Sequence, residues 1–159
     1  MNSLELAIQL EMDSKRFYLE QAEKTEDRGL RAIFITLAEE ESIHARILKN
    51  KADNLSYELV DTYAEIKNLF SKIGSYKSEI KKMPDALDVY NLSLEIEKKS
   101  KDLYEEMLRE ATDEKDIKIF KYLIQQEEDH YRVIEQLMEM VRRSEEWVES
   151  AEFGLRKEY

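Results

Sequence analysis

Residues 1–50 and residues 87–136 carry one pattern twice: aligned at an offset of 86 without a gap, they share 13 identities. Such a repeat constrains the fold before any single residue does, because each copy is one supersecondary unit whose apolar face needs the other copy to cover it. The shared positions are not scattered. Glu11 matches Glu97, Ser14 matches Ser100, Tyr18 matches Tyr104, Phe34 matches Phe120, Leu37 matches Leu123, Glu41 matches Glu127 and His44 matches His130. They include both histidines of the chain and the glutamate three residues before each.

Within each copy the apolar residues recur at helical spacing, as Ile33, Phe34, Leu37, Ala38, Ala45 and Leu48 and again as Ile119, Phe120, Leu123, Ile124, Ile134 and Leu137. With only 3 Gly and 1 Pro, strands and their turns have little to be made from, so the fold class is all-α. Turn and cap signals fall at Thr25 to Gly29 and at Thr112-Asp113-Glu114, where a Thr cap and early acids suit a helix start. The expected helices span about 3–24, 28–52, 85–110 and 113–145. Residues 51–86 have no counterpart in the repeat and hold Gly74 and Pro84, the latter well suited to a first helical turn. A link that long runs the length of a bundle as a crossover, with Leu59, Tyr63, Ile66, Leu69 and Phe70 marking a helical part that packs outside. At 159 residues the expectation is one domain: hairpin 1 over about 3–52, crossover over about 53–84, hairpin 2 over about 85–145 and a tail over about 146–159. The tail, with Trp147 and Phe153, either prolongs the fourth helix or docks as a short fifth element.

A formal charge of -11 is the opposite of what binding phosphate backbones requires, which argues against nucleic acid and anionic membrane as partners. The N-terminal residues carry no basic stretch and no apolar run nears the roughly 18 residues that span a bilayer, so a soluble, cytoplasmic protein is expected. The absence of Cys excludes disulfides, thiolate zinc sites, iron–sulfur clusters and a catalytic thiolate. Any metal must take Glu, Asp or His.

Glu11, Glu41, His44, Glu97, Glu127 and His130 lie inside the apolar stripes, where an unpaired charge costs several kcal/mol or must neutralise. Glu11 and Glu41 are 30 residues apart with a turn near the middle, so the chain runs about 22 Å along one helix and the same distance back. Glu97 and Glu127 repeat that spacing. Four carboxylates and two imidazoles therefore converge at one level, and two divalent cations would balance them. With 26 Glu in the chain, a lone Glu-x-x-His means little, but four Glu at these offsets coincide by chance on the order of once in a thousand. Oxygen and nitrogen donors suit iron, the choice for redox work, while manganese and zinc stay open. Glu41 and Glu127 are placed to bridge, Glu11 with His44 to complete one ion's ligands and Glu97 with His130 the other's. Tyr18 and Tyr104 lie two turns beyond Glu11 and Glu97 on the same faces and are candidates to hydrogen-bond those carboxylates, or else plain core. Glu40 and Gln126, four residues before each His, are candidates to orient the imidazoles, or else solvated helix face.

The segments Glu11–Tyr18, Leu37–His44, Glu97–Tyr104 and Glu127–His130 resemble the four ligand-bearing helices of the ferritin-like, rubrerythrin-related superfamily of di-iron carboxylate proteins. The resemblance covers residues 1–50 and 87 to about 140. It implies a ferritin-like four-helix bundle with a long crossover between helices 2 and 3, a pair of Fe ions, and reaction of the diferrous form with O2 or H2O2. Two departures stand out. Rubrerythrins with peroxidase activity carry a further Glu three residues before the third-helix ligand, where this chain has Leu94, and their four-Cys rubredoxin module has no counterpart, so an electron donor is expected to be a separate protein.

The first expectation is thus a di-iron oxidoreductase of peroxidase or oxidase type. A ferroxidase or iron-handling protein is the alternative, and a metal-free acidic helical interaction module, in which buried Glu and His form a hydrogen-bonded network, is the third. Assembly as a homodimer stays open.

Overall fold

The computed structural model describes residues 2–61, 63–70 and 86–157, and five helices among them: α1 (Ser3–Lys24), α2 (Arg28–Ala52), α3 (Tyr63–Phe70), α4 (Ala86–Glu110) and α5 (Glu114–Lys157). Gly74 and Pro84 lie outside the described residues, as do the side chains of Trp147 and Phe153. The backbone of the tail continues α5 as far as Lys157.

Local chemistry sets the helix ends. Asn2 and Glu5 form a reciprocal capping box at the start of α1, satisfying two otherwise orphaned backbone donors. Asp27 accepts from the Leu30 backbone N–H at 3.0 Å to open α2, and Arg31 donates back to the Thr25 carbonyl at 2.9 and 2.6 Å, closing the first hairpin turn. Its repeat partner Asp113 opens α5, accepting from Lys115 N–H at 3.1 Å. The cap is therefore Asp113 rather than the expected Thr112, because only the residue immediately before the first helical one reaches the N–H of the second. At the end of α2, Leu55 N–H bonds Asn50 carbonyl at 2.7 Å and Asn54 N–H bonds Lys51 carbonyl at 3.2 Å. This is a Schellman ending, and Asn54 takes the left-handed position it requires, at φ 56°.

Two apolar clusters organise the bundle. One gathers Tyr18, Phe34, Leu37, Tyr90, Ile134 and Leu137; the other gathers Ala7, Leu48, Tyr104, Ile119, Phe120 and Leu123. Each long helix passes from one cluster to the other. α1 and α5 run from the second to the first, α2 and α4 from the first to the second. Because α2 and α4 run the same way, the link between them must return along the bundle, and its packing follows that course: Tyr57 and Leu59 lie on the second cluster, Tyr63, Ile66 and Leu69 on the first. Ile66 is fully buried, and burying such a side chain contributes about 1.5–3 kcal/mol, which seats α3 on the bundle. The architecture is the all-α, ferritin-like four-helix bundle with a crossover between its second and third long helices. No described helix is long and apolar enough to cross a membrane.

Candidate metal centre

Between the two apolar clusters, at the level where all four long helices cross from one to the other, the core turns polar. Glu11, Glu41, His44, Glu97, Glu127 and His130 are all no more than 1% exposed. Each helix delivers its residues there for a local reason: Glu11 stands four residues beyond buried Ala7, Glu41 four beyond Leu37 and Glu127 four beyond Leu123, so the apolar stripe that docks the helix also aims the carboxylate inward.

Two groups of ligand-type atoms result, each drawn together within 4.8 Å: Glu11, Glu41, His44 and Glu127 in one, and Glu41, Glu97, Glu127 and His130 in the other. Glu41 and Glu127 belong to both. The imidazoles stack with centroids 5.6 Å apart and planes 21° apart, and both turn Nδ1 into the cluster. His44 Nδ1 lies 3.4 Å from Glu11 Oε2 and 3.4 Å from Glu127 Oε1, and His130 Nδ1 lies 2.7 Å from Glu41 Oε1 and 3.5 Å from Glu97 Oε1. Yet no well-aligned hydrogen bond satisfies either Nδ1, either oxygen of Glu41 or of Glu127, Glu11 Oε2 or Glu97 Oε2. A buried polar atom without a partner costs about 1–3 kcal/mol, so a convergent set of them is a site built for something else. Hard oxygen and imidazole donors around two volumes, with two carboxylates common to both, fit a pair of divalent cations.

The surrounding hydrogen bonds hold the outer edges and run between the repeats. Tyr18 donates to Glu97 Oε1 at 2.5 Å, and Tyr104 donates to Glu11 Oε1. His130 Nε2 meets Glu40 Oε2, while His44 Nε2 lies 3.5 Å from Gln126 Oε1. All four contacts thus join hairpin 1 to hairpin 2.

Electrostatics divides the carboxylates the same way. Burial, then the charges of Glu11 and Glu97, push Glu41 well above the ordinary carboxyl range; burial and the charges of Glu11, Glu41 and Glu97 do the same to Glu127. Burial also presses Glu11 upward, but the nearby His44 imidazole, together with the close polar contacts of Glu41 and Glu127, outweighs it and holds the group at about 2. Glu97 is likewise lowered, its burial outweighed by its close contact with Glu127, by the nearby His130 imidazole and by the hydrogen bond from Tyr18. Burial opposes the charged form of His130, and the charges of Glu97 and Glu41 overcome it, raising the imidazole well above 6.5. Tyr18 and Tyr104 are raised well above 10 by burial and by the carboxylates they touch, so they remain donors.

Tyr122 packs edge-on against His44, centroids 6.2 Å apart, and its hydroxyl donates to the Val60 carbonyl of the crossover. It was not visible from the repeat because its counterpart is Thr36; the helical series Tyr122, Gln126, His130 was the available signal. Ser14 and Ser100, whose identity in the repeat is plain, are buried beside Glu11 and Glu97 with unpartnered hydroxyls.

No curated protein and no solved structure matches the chain. The family model for rubrerythrin does, over residues 2–138, which takes in all four long helices through the site and the crossover between them, and so the chain belongs to the rubrerythrin family.

Proposed function

We propose that this chain is a di-iron oxidoreductase that reduces H2O2 or O2. The observation that carries the reading is the convergence of unpartnered carboxylate oxygens and imidazole Nδ1 atoms in two groups sharing Glu41 and Glu127. Glu11 with His44 would hold one iron and Glu97 with His130 the other, with Glu41 and Glu127 common to both. The pair of irons, when bound, would supply the two electrons that turn one H2O2 and two protons into two waters.

The chain's own part is to hold and to admit. Tyr18 and Tyr104 fix one oxygen of Glu97 and of Glu11, leaving the other without a hydrogen-bond partner. Apolar clusters above and below keep bulk water out. A cavity of about 360 Å³ between α4 and α5 is lined by Glu97 and Glu127 together with Lys98, Lys101 and Asp102, and gives a small oxidant and its protons a way in from the surface. A separate electron-transfer protein is the proposed donor.

Anaerobic protein loaded with Fe(II) and mixed with H2O2 tests this. The expected result is consumption of one H2O2 per two irons with a near-ultraviolet charge-transfer band, faster than free Fe(II) in the same buffer; tightly bound Fe(II) oxidised no faster than free Fe(II) would refute it. A second reading, Fe(II) oxidation followed by hand-over of Fe(III), draws support from the net charge of -11, which concentrates cations around the molecule. It predicts that iron leaves the protein after oxidation, whereas the first predicts that it stays.

A further inference from the structure

The repeat makes most of the site nearly symmetric. Glu11 and Glu97, Ser14 and Ser100, Tyr18 and Tyr104, Glu41 and Glu127, and His44 and His130 are identical pairs. Where side chains reach the outer nitrogens of the imidazoles the symmetry breaks: position 40 is Glu and its counterpart, position 126, is Gln. Both side chains are buried, at 4% exposure, and each reaches the histidine of the opposite hairpin. Glu40 closes on His130 Nε2, while Gln126 Oε1 stands 3.5 Å from His44 Nε2, a long contact for a hydrogen bond.

We infer that the two metal positions are inequivalent, the one formed by Glu97 and His130 binding its divalent cation more tightly because a carboxylate backs His130 where only an amide backs His44. The inference rests on the metal-binding reading above. With Nδ1 turned to the cation, Nε2 carries the proton. A carboxylate accepting that N–H pulls the proton toward itself, leaves more electron density on the ring and makes Nδ1 the stronger donor; a neutral amide at longer range does this far less. Such partners change metal affinity by about 10–100-fold in other proteins. Because Glu41 and Glu127 serve both positions, their contribution does not separate the two. Glu40 and Gln126 act here as positioning residues: they touch the imidazoles, not the cations.

Co(II) is the probe, since it reports its coordination in the visible and stays divalent without strict exclusion of air. Metal-free full-length protein is titrated with Co(II) in competition with a chromophoric chelator. The wild-type chain should bind two ions in steps separated by roughly tenfold or more. Glu40→Gln should bring the steps together by weakening the first. Gln126→Glu should bring them together by tightening the second, a gain that misfolding cannot imitate. Glu97→Gln should delete the tight step and Glu11→Gln the weak one.

Separation of the two steps unchanged in both Glu40→Gln and Gln126→Glu overturns the inference, as does loss of the weak step in Glu97→Gln. Two ions bound with equal affinity by the wild type overturn it alone and leave the metal reading intact. No Co(II) bound by the wild type overturns both.

Discussion

Removing metal should lower the melting temperature of this protein by about 10–20 °C. The site residues are at most 1% exposed and most of their inward-facing atoms lack partners, so cations would bind the folded chain alone. A ligand specific to the native state at a hundred times its dissociation constant adds about 2.7 kcal/mol, so two ions add roughly 5 kcal/mol. For a chain of this size each kcal/mol moves the midpoint by about 2–4 °C, which yields the range above. Circular dichroism melts with Mn(II) and after EDTA followed by desalting give the comparison. The pH dependence adds a second signature with a definite sign. Glu41 and Glu127 are raised in the metal-free fold, so their contribution is fullest below the unfolded value of 4.5 and is lost as pH rises through the folded one. His130, also raised, contributes fully below 6.5 and loses its contribution as pH rises through its own folded value. Glu11 and Glu97 are lowered, so they favour the fold above 4.5 and lose that as pH falls, for Glu11 toward about 2. The metal-free protein should therefore melt lower at pH 8 than at pH 5.5. Cations displace the protons, so the difference made by EDTA should widen over the same interval. Superimposable melts with and without EDTA at pH 8 would refute the reasoning.

Other perturbations probe separate parts of the structure. Glu41→Ala or Glu127→Ala should abolish binding of both ions, because each carboxylate belongs to both groups of ligand-type atoms; equilibrium dialysis showing one ion retained would refute shared ligation. Tyr18→Phe and Tyr104→Phe each remove a buried hydrogen bond to a carboxylate, and urea unfolding of the metal-free protein should show a loss of about 1.5–3 kcal/mol in each; no change would place the hydroxyls outside the site's support. Ile66→Ala empties a fully buried position under the crossover and should cost about 2–5 kcal/mol in the same assay, whereas a cost below half a kcal/mol would mean that α3 does not dock as described.

Much of this was legible in the sequence because helices project inward at a fixed period. The expected ends of the first two helices, about 24 and 28 on either side of the turn, agree with Lys24 and Arg28, since Asp27 and Thr25 are strong punctuation. The level meeting of Glu11, Glu41, Glu97 and Glu127 followed from equal arm lengths on either side of each turn, a quantity the chain states outright. What could not be read is anything that depends on how the two hairpins are offset across the bundle. Tyr18 shares a face with Glu11, yet it bonds Glu97; Glu40 lies one turn before His44, yet it meets His130. Both partners are chosen by interhelical packing, which leaves no mark on spacing within one helix. Tyr122 escaped for another reason: its neighbour His44 belongs to a different helix, and its own repeat counterpart is a threonine.

The central claim is that the polar core exists to bind two metal ions. Elemental analysis of the purified protein for Fe, Mn and Zn, before and after anaerobic reconstitution with Fe(II), tests it most directly. The account predicts close to two ions per chain after reconstitution, falling to none in Glu41→Ala; a folded wild-type protein that retains no metal after reconstitution would contradict it and leave a helical bundle with a protonated Glu–His network at its centre.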